Sequence, residues 1–261
     1  MRGCLLAALL GGGVWLYGAA AHANDATPVG LKCLHRAYPK HICGTTLTHV
    51  LWCDGTTSVY DAPRASNRTF YQILEDPSLK DTMSIPYVMA HHGPRTPEVF
   101  EDPGRFRHTP LFMKLYGSSA SEVRANTARV RWAPSGQRVR VHTHYDVHRR
   151  IERIGKRLMA LPKKMHKHFR VTAGTFVWRN IKGTSRRSTH SYATSIDVGV
   201  KQSFYWDWTK PDEQGRYVYR NRMPLEVVRV FEDEGFIWGG RWYHFDTMHF
   251  EYRPELLCAA Q

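Results

Sequence analysis

Two stretches of the chain concentrate residues able to hold a metal ion and move a proton: STHSYATSID at 188–197 and WGGRWYHFDTMHFE at 238–251. Thr194, Ile196, Val198 and Val200 alternate with Ser195, Asp197 and Gly199, which predicts a half-buried strand with its apolar face on the core and Asp197 facing a cleft. Met248, Phe250 and Tyr252 alternate with Thr247, His249 and Glu251, which predicts a last strand with His249 on the cleft side. His190 precedes Asp197 across a turn that Ser191 and Tyr192 can make. Two strands of one sheet would then aim an imidazole and a carboxylate into one space. A catalytic zinc ion needs three nitrogen or oxygen ligands and one open position, and His190, Asp197 and His249 meet that requirement. Such an ion acidifies a water and polarises a scissile carbonyl.

Asp246 stands three residues before His249. In a continuous strand that odd offset would send it to the opposite face. It fits better in the turn ahead of the strand, from which it can take a proton from the attacking water and pass it to the leaving group. Glu251 shares the face of His249 and is a candidate partner for that ring or a substitute base. Other histidines compete in a chain that has 15 of them. His142 and His144 form an H-x-H pair, a real zinc option; His91/His92 and His166/His168 are weaker, and His244 lies near the second stretch. On spacing alone, the proposed ligand set also competes with a hydrogen-bonded core cluster. No HExxH is present, so a helix-borne zinc protease site is not supported.

The elements that must position these residues follow from periodicity. Residues 68–75 suit a short helix, and SEVRANT from Ser121 suits another behind a serine cap. Val130 and Trp132, then Val139 and Val141, alternate around Pro134-Ser135-Gly136 as a β-hairpin does. Val147, Ile151, Ile154, Leu158 and Leu161 recur at helical spacing, with Asp146 as the expected cap and Pro162 as the stop. A further helix is expected from Pro224 to Glu234, ended by Gly235, with Leu225, Val228 and Phe231 facing the core. Residues 24–66 read as irregular structure held by disulfides, and 76–118 as a long loop-rich cover. No regular βαβ rhythm appears. The expected class is α+β: a small central antiparallel sheet with flanking helices, the zinc cleft on the sheet, and a loop-rich, disulfide-containing extension before it.

At the chemistry-bearing residues the chain resembles the family of zinc D-alanyl-D-alanine carboxypeptidases, dipeptidases and L-alanyl-D-glutamate endopeptidases. That family carries S-x-H-x-x-G-x-A-x-D, then D/E-x-x-H within G-F-x-W-G-G-x-W…D-x-x-H-F-E. Here the segments read STHSYATSID and GFIWGGRWYHFDTMHFE. Ala193 stands where the family has Gly and Ser195 where it has Ala; the first change bears on the turn, because glycine tolerates φ > 0 and alanine does not. The resemblance covers about 120–261. It implies zinc on His190, Asp197 and His249, Asp246 as general base, and a helper arginine at Arg179 that stabilises the developing oxyanion or grips a substrate carboxylate. Arg186 and Arg187 lie closer in sequence to His190 and read as solvated charges. Ser188 is a candidate to hydrogen-bond a ligand residue or the substrate, and equally a turn residue. Trp238 and Trp242 are candidates to wall the cleft, and equally core. Residues 24–119 fall outside the resemblance and are expected to wrap the domain and shape one side of the substrate groove.

Composition bounds the setting. The 261 residues are 42% hydrophobic, enough for one domain with a proper core and an extension. Residues 1–23 read as a signal peptide: Arg2, an apolar run interrupted by glycines, then Ala21-His22-Ala23 at the cleavage site. The expected organisation is therefore 1–23 leader, 24–119 extension and 120–261 metallopeptidase domain, exported to the periplasm or cell envelope without a transmembrane anchor after cleavage. The formal charge of +14 suits anionic partners, with cell-wall polymers and peptide carboxylates ahead of nucleic acid, for which no aromatic-basic motif argues. Cys33, Cys43, Cys53 and Cys258 remain after the leader and suit two structural disulfides, one of them tying Cys258 back to the N-terminal segment. The leading functional expectation is zinc-dependent hydrolysis of a peptidoglycan stem-peptide bond. The competing one is a catalytically silent, zinc-stabilised cell-wall binding module, which would need the ligands but not Asp246.

Overall fold

A computed structural model describes residues 26–260. The expected leader, with Cys4, lies outside them. The described chain is α+β. The central sheet has four antiparallel strands in the order β6 (Thr172–Gly174), β7 (Ser195–Val198), β9 (His249–Tyr252), β8 (Phe236–Trp238). The register places Asp197 directly opposite His249, and Ser195 opposite Glu251. Directly opposed residues share a face of an antiparallel pair, so the pairing itself puts the carboxylate beside the imidazole.

Helices cover one side of this sheet. Helix α6 (Val147–Met159) buries Val147, Ile151, Ile154 and Leu158, and α7 (Leu225–Glu232) buries Val227, Val228, Val230 and Phe231. Each such side chain contributes roughly 1.5–3 kcal/mol on burial. Phe231 stacks on Phe250 of β9 at 3.8 Å between ring centroids. The expected hairpin is present as β4 (Thr127–Arg131) and β5 (Arg138–His142). Three local expectations are corrected. Asp146 sits at φ 57° and makes no side-chain cap. The helix before the hairpin, α5 (Ala120–Ala125), is capped by Ser119, not Ser121. Val200 leaves the β7 alternation for a 3-10 turn behind Gly199, whose φ of 59° ends the strand.

The N-terminal part is more regular than its composition suggests. Helix α1 (Val29–Ala37) leads into a three-stranded antiparallel meander: β1 (Ile42–Thr45), β2 (His49–Trp52) and β3 (Thr57–Val59). Short helices follow: α2 (Phe70–Glu75), where 68–75 predicted one, α3 (Leu79–Thr82) and α4 (Thr109–Tyr116). Leu31, Leu34, Ile42 and Val50 belong to the same buried cluster as Ile196 and Phe250. The α4 segment was legible only as loop because Pro110 at its first turn reads as a breaker, although proline is compatible with that position. Disulfides join Cys43 to Cys53 across the meander and Cys33 to Cys258, so α1 is tied to the C-terminal α8 (Pro254–Ala259). Among the described residues no helix is long and apolar enough to cross a membrane.

Candidate metal centre

The site is built on the middle of the sheet. A 3-10 turn at Thr189–Tyr192 carries His190, and Ala193 ends it at φ 55°, ψ 30°. Alanine thus adopts the left-handed backbone that its glycine counterpart would take without strain, and the turn is kept. Strand β7 then presents Asp197, and β9 presents His249. Asp197 Oδ1 lies 3.2 Å from His190 Nε2 and 2.9 Å from His249 Nδ1. The three potential ligand atoms all fall within 4.8 Å of one another.

Hydrogen bonding behind the site selects the atom that His249 offers. Its Nε2 lies 3.0 Å from Glu251 Oε2. A carboxylate only accepts, so Nε2 carries a proton and Nδ1 faces Asp197. A neutral ring would then set a lone pair against a carboxylate oxygen, which is favourable only with a cation between them. The electrostatics agree. Burial lowers the His249 pKa, but its hydrogen bonds to Asp197 and Glu251 outweigh that and raise it to about 10. Burial likewise opposes the charge on Asp197, yet His190 and His249 hold its carboxyl far below the usual range. The pocket therefore favours positive charge where two imidazole nitrogens and one carboxylate converge. That donor set fits zinc, held by His190, Asp197 and His249.

Asp246 occupies the turn before β9, where its carbonyl accepts from His249 N at 3.2 Å. Its backbone pairs with Tyr205, and Trp206 N donates to Phe245 O at 2.9 Å, while Thr247 and Phe204 exchange bonds of 2.7–3.1 Å. The turn is thereby fastened to the 204–206 segment. Gly239 lets this turn close: a Cβ there would stand 2.5 Å from Asp246 O and 2.8 Å from the Trp242 ring. Asp246 Oδ1 is sealed from solvent and has no hydrogen-bond partner among protein atoms. Burial, reinforced by the Asp197 carboxylate, pushes this carboxyl up to about 6.

The remaining candidates fall in different places. Trp242 is buried with its ring 5.7 Å from that of His249, and its Nε1 donates to Pro103 O at 2.6 Å. Trp238 lies in the main core and donates to Thr247 O at 3.0 Å. Ser188 is buried, and its backbone N donates to Arg179 O at 3.2 Å. Arg179 is exposed, and its guanidinium reaches the Asn180 carbonyl at 3.4 Å. Four of the competing histidines have other partners: His142, His144 and His166 reach the carbonyls of Tyr116, Leu115 and Leu161, and His244 Nδ1 lies 2.6 Å from Asp102 Oδ2.

Sequence reasoning missed the arginines that surround this site. Arg107 Nη2 donates to Glu251 Oε2 at 2.6 Å, and Arg253 Nη1 donates to Glu251 Oε1 at 2.9 Å. These cations outweigh the burial of Glu251 and, with His249, keep it ionised. Arg186, expected to be solvated, is half-buried and donates from Nε to Glu75 at 2.9 Å. Arg105 and Arg107 both lie over the Trp242 ring, at 5.4 and 5.6 Å from its centroid. The RFR triplet at 105–107 carries no family motif, and only its density of charge marks it in the sequence.

Comparisons with curated proteins and with solved structures return no significant match. A protein-family model described as D-alanyl-D-alanine carboxypeptidase matches residues 182–252. That span contains His190, Asp197, Asp246 and His249, and leaves Arg179, Arg105 and Arg107 outside. With the geometry of His190, Asp197 and His249, the match supports a likeness of this part of the chain to the zinc peptidoglycan metallopeptidases.

Proposed function

We propose that this protein hydrolyses a peptide bond in peptidoglycan stem peptides, as a zinc-dependent carboxypeptidase or endopeptidase. The observation that carries the reading is the convergence of His190 Nε2, Asp197 Oδ1 and His249 Nδ1 beside the unpartnered Oδ1 of Asp246. Zinc held by the three ligands would acidify a water and polarise the scissile carbonyl. Asp246, with its carboxyl raised towards neutrality, is suited to take the proton of the attacking water and return it to the leaving amine. Glu251 keeps His249 in the tautomer that offers Nδ1. Arg179, held only by its neighbour's carbonyl, is the cation expected to meet charge developing on the carbonyl oxygen, with Ser188 and Trp242 bordering the peptide. Two disulfides and the family support export to the cell envelope, where the substrate is found.

The test is digestion of purified stem peptides by the zinc-loaded protein, with fragments identified by mass. Cleavage lost in chelator, restored by zinc and absent in Asp246→Asn supports the reading. A wild-type protein that holds one zinc ion yet cuts none of these peptides refutes it and favours a binding module.

A further inference from the structure

We propose that the outer face of the β4–β5 hairpin docks on an anionic lipid surface, whose phosphates are met by Arg124, Arg129, Arg131, Arg138 and Arg140. The proposal does not depend on the hydrolase reading.

The register of the hairpin sets like charges against each other. Arg129 lies directly opposite Arg140, and Arg131 directly opposite Arg138. Directly opposed residues share a face, and alternate residues of a strand return to it, so all four arginines leave the hairpin on one side. Val130 and Val139, opposed between the two pairs, are buried on the other. Like charges placed directly opposite each other destabilise a strand pair. Among the described residues no carboxylate lies within ion-pair distance of these four or of Arg124. Arg140 donates from Nη1 to a neutral group, Thr127 Oγ1, at 2.9 Å. Arg129, Arg131 and Arg138 are exposed, so a ligand can reach them.

Arg124 extends the patch sideways. It lies over the Phe176 ring, 5.3 Å from the centroid. With Arg138 and Arg140 it lines a groove of about 320 Å³, whose other wall is the segment from Thr172 to Phe176. Val171 and Val177 flank that segment and are 59% and 53% exposed. A small anion could neutralise one opposed pair, but not a row of five cations. A lipid surface offers repeated phosphates to the guanidinium groups and an apolar boundary to the valines. Since no helix among the described residues is long and apolar enough to cross a membrane, this contact would be peripheral.

The buried face of the hairpin supplies the control. Helix α6 packs there, with Ile151 and Ile154 in one core with Val130 and Val139. Its Arg149 and Lys156 are exposed, so removing them lowers the charge equally without touching the arginine face.

The experiment is co-sedimentation of the purified protein with vesicles of phosphatidylcholine alone or in equal parts with phosphatidylglycerol. The wild type is expected to bind only the mixed vesicles, and to release them as salt rises from about 0.1 M to about 0.5 M. Each arginine removed should lower the partition coefficient about fivefold, the worth of one basic residue near an anionic surface. Arg131→Gln with Arg138→Gln, and Arg129→Gln with Arg140→Gln, should therefore each lose about twenty- to thirtyfold. Thermal denaturation should find neither pair less stable than wild type, because each substitution pair removes a repulsion. Should one pair fail to fold, the other decides. The proposal is overturned if the wild type binds both vesicles alike or neither, or if the pair variants bind as the wild type does. It is equally overturned if Arg149→Gln with Lys156→Gln loses as much, since net charge alone would then explain the binding. Capture of a soluble polyphosphate without vesicle binding would assign the face to a polymer instead and also sink it.

Discussion

Arg107 and His249 meet on one carboxylate oxygen: Arg107 Nη2 lies 2.6 Å, and His249 Nε2 3.0 Å, from Glu251 Oε2. A residue from the N-terminal part of the chain thus orients the His249 ring, a proposed metal ligand on the last strand. Thr189 Oγ1 donates to the same oxygen at 3.2 Å, one residue before His190.

Loosening that arrangement should weaken the metal site without deleting a ligand. Glu251→Gln and Arg107→Met are each expected to lower zinc affinity by roughly 10–100-fold, the usual cost of losing a ligand's hydrogen-bond partner. Competition with a calibrated chelator measures it. Unchanged affinity in both variants would show that His249 is held by strand packing alone.

With Asp246 as the proposed general base, its carboxyl should set the acid limb of activity. A carboxyl raised to about 6 is protonated below that pH and cannot take a proton, so kcat/KM should fall as the pH drops through the region. A dication bound nearby draws the value down, which places the limb at or below about 6. A pH–rate profile of the zinc-loaded protein shows the limb, and Asp246→Glu should move it. A profile flat from pH 4 to pH 8 would argue against Asp246 as the base.

The two disulfides should differ in worth. Cys33–Cys258 closes a sequence separation of 225 residues and Cys43–Cys53 one of 10. Loop-closure entropy gives about 5 kcal/mol for the long loop and about 3 kcal/mol for the short one. Chemical denaturation of Cys258→Ser paired with Cys33→Ser, against Cys43→Ser paired with Cys53→Ser, should rank them in that order. The reverse ranking would mean that α1 stays docked on α8 through its side chains alone.

Ala193 gives a backbone test. Its left-handed conformation costs about 1–2 kcal/mol, which Gly would relieve, while Gly gives up a buried methyl worth about 0.8 kcal/mol and adds chain entropy in the unfolded state. Ala193→Gly should therefore change stability by less than about 1 kcal/mol, whereas Ala193→Val, β-branched at positive φ and fully buried, should cost more than about 2 kcal/mol. Thermal denaturation compares them. A valine variant as stable as wild type would show that the turn tolerates a different backbone.

What the sequence determined by itself was local and periodic. Alternation in 194–198 and 248–252 placed Asp197 and His249 on one face, the odd offset of Asp246 put it in a turn, and the helical spacing of Val147 to Leu158 marked the longest helix. These follow from the two-residue and 3.6-residue repeats that any chain must obey. Tertiary structure alone decided that Asp197 lies opposite His249, that Cys33 is the partner of Cys258, and that Arg105 and Arg107 reach the cleft. Those contacts join residues up to 225 positions apart, and they arise from packing α1 and the 76–118 segment against the sheet. Periodicity carries no record of such packing, because the same arginines on an exposed loop would read identically.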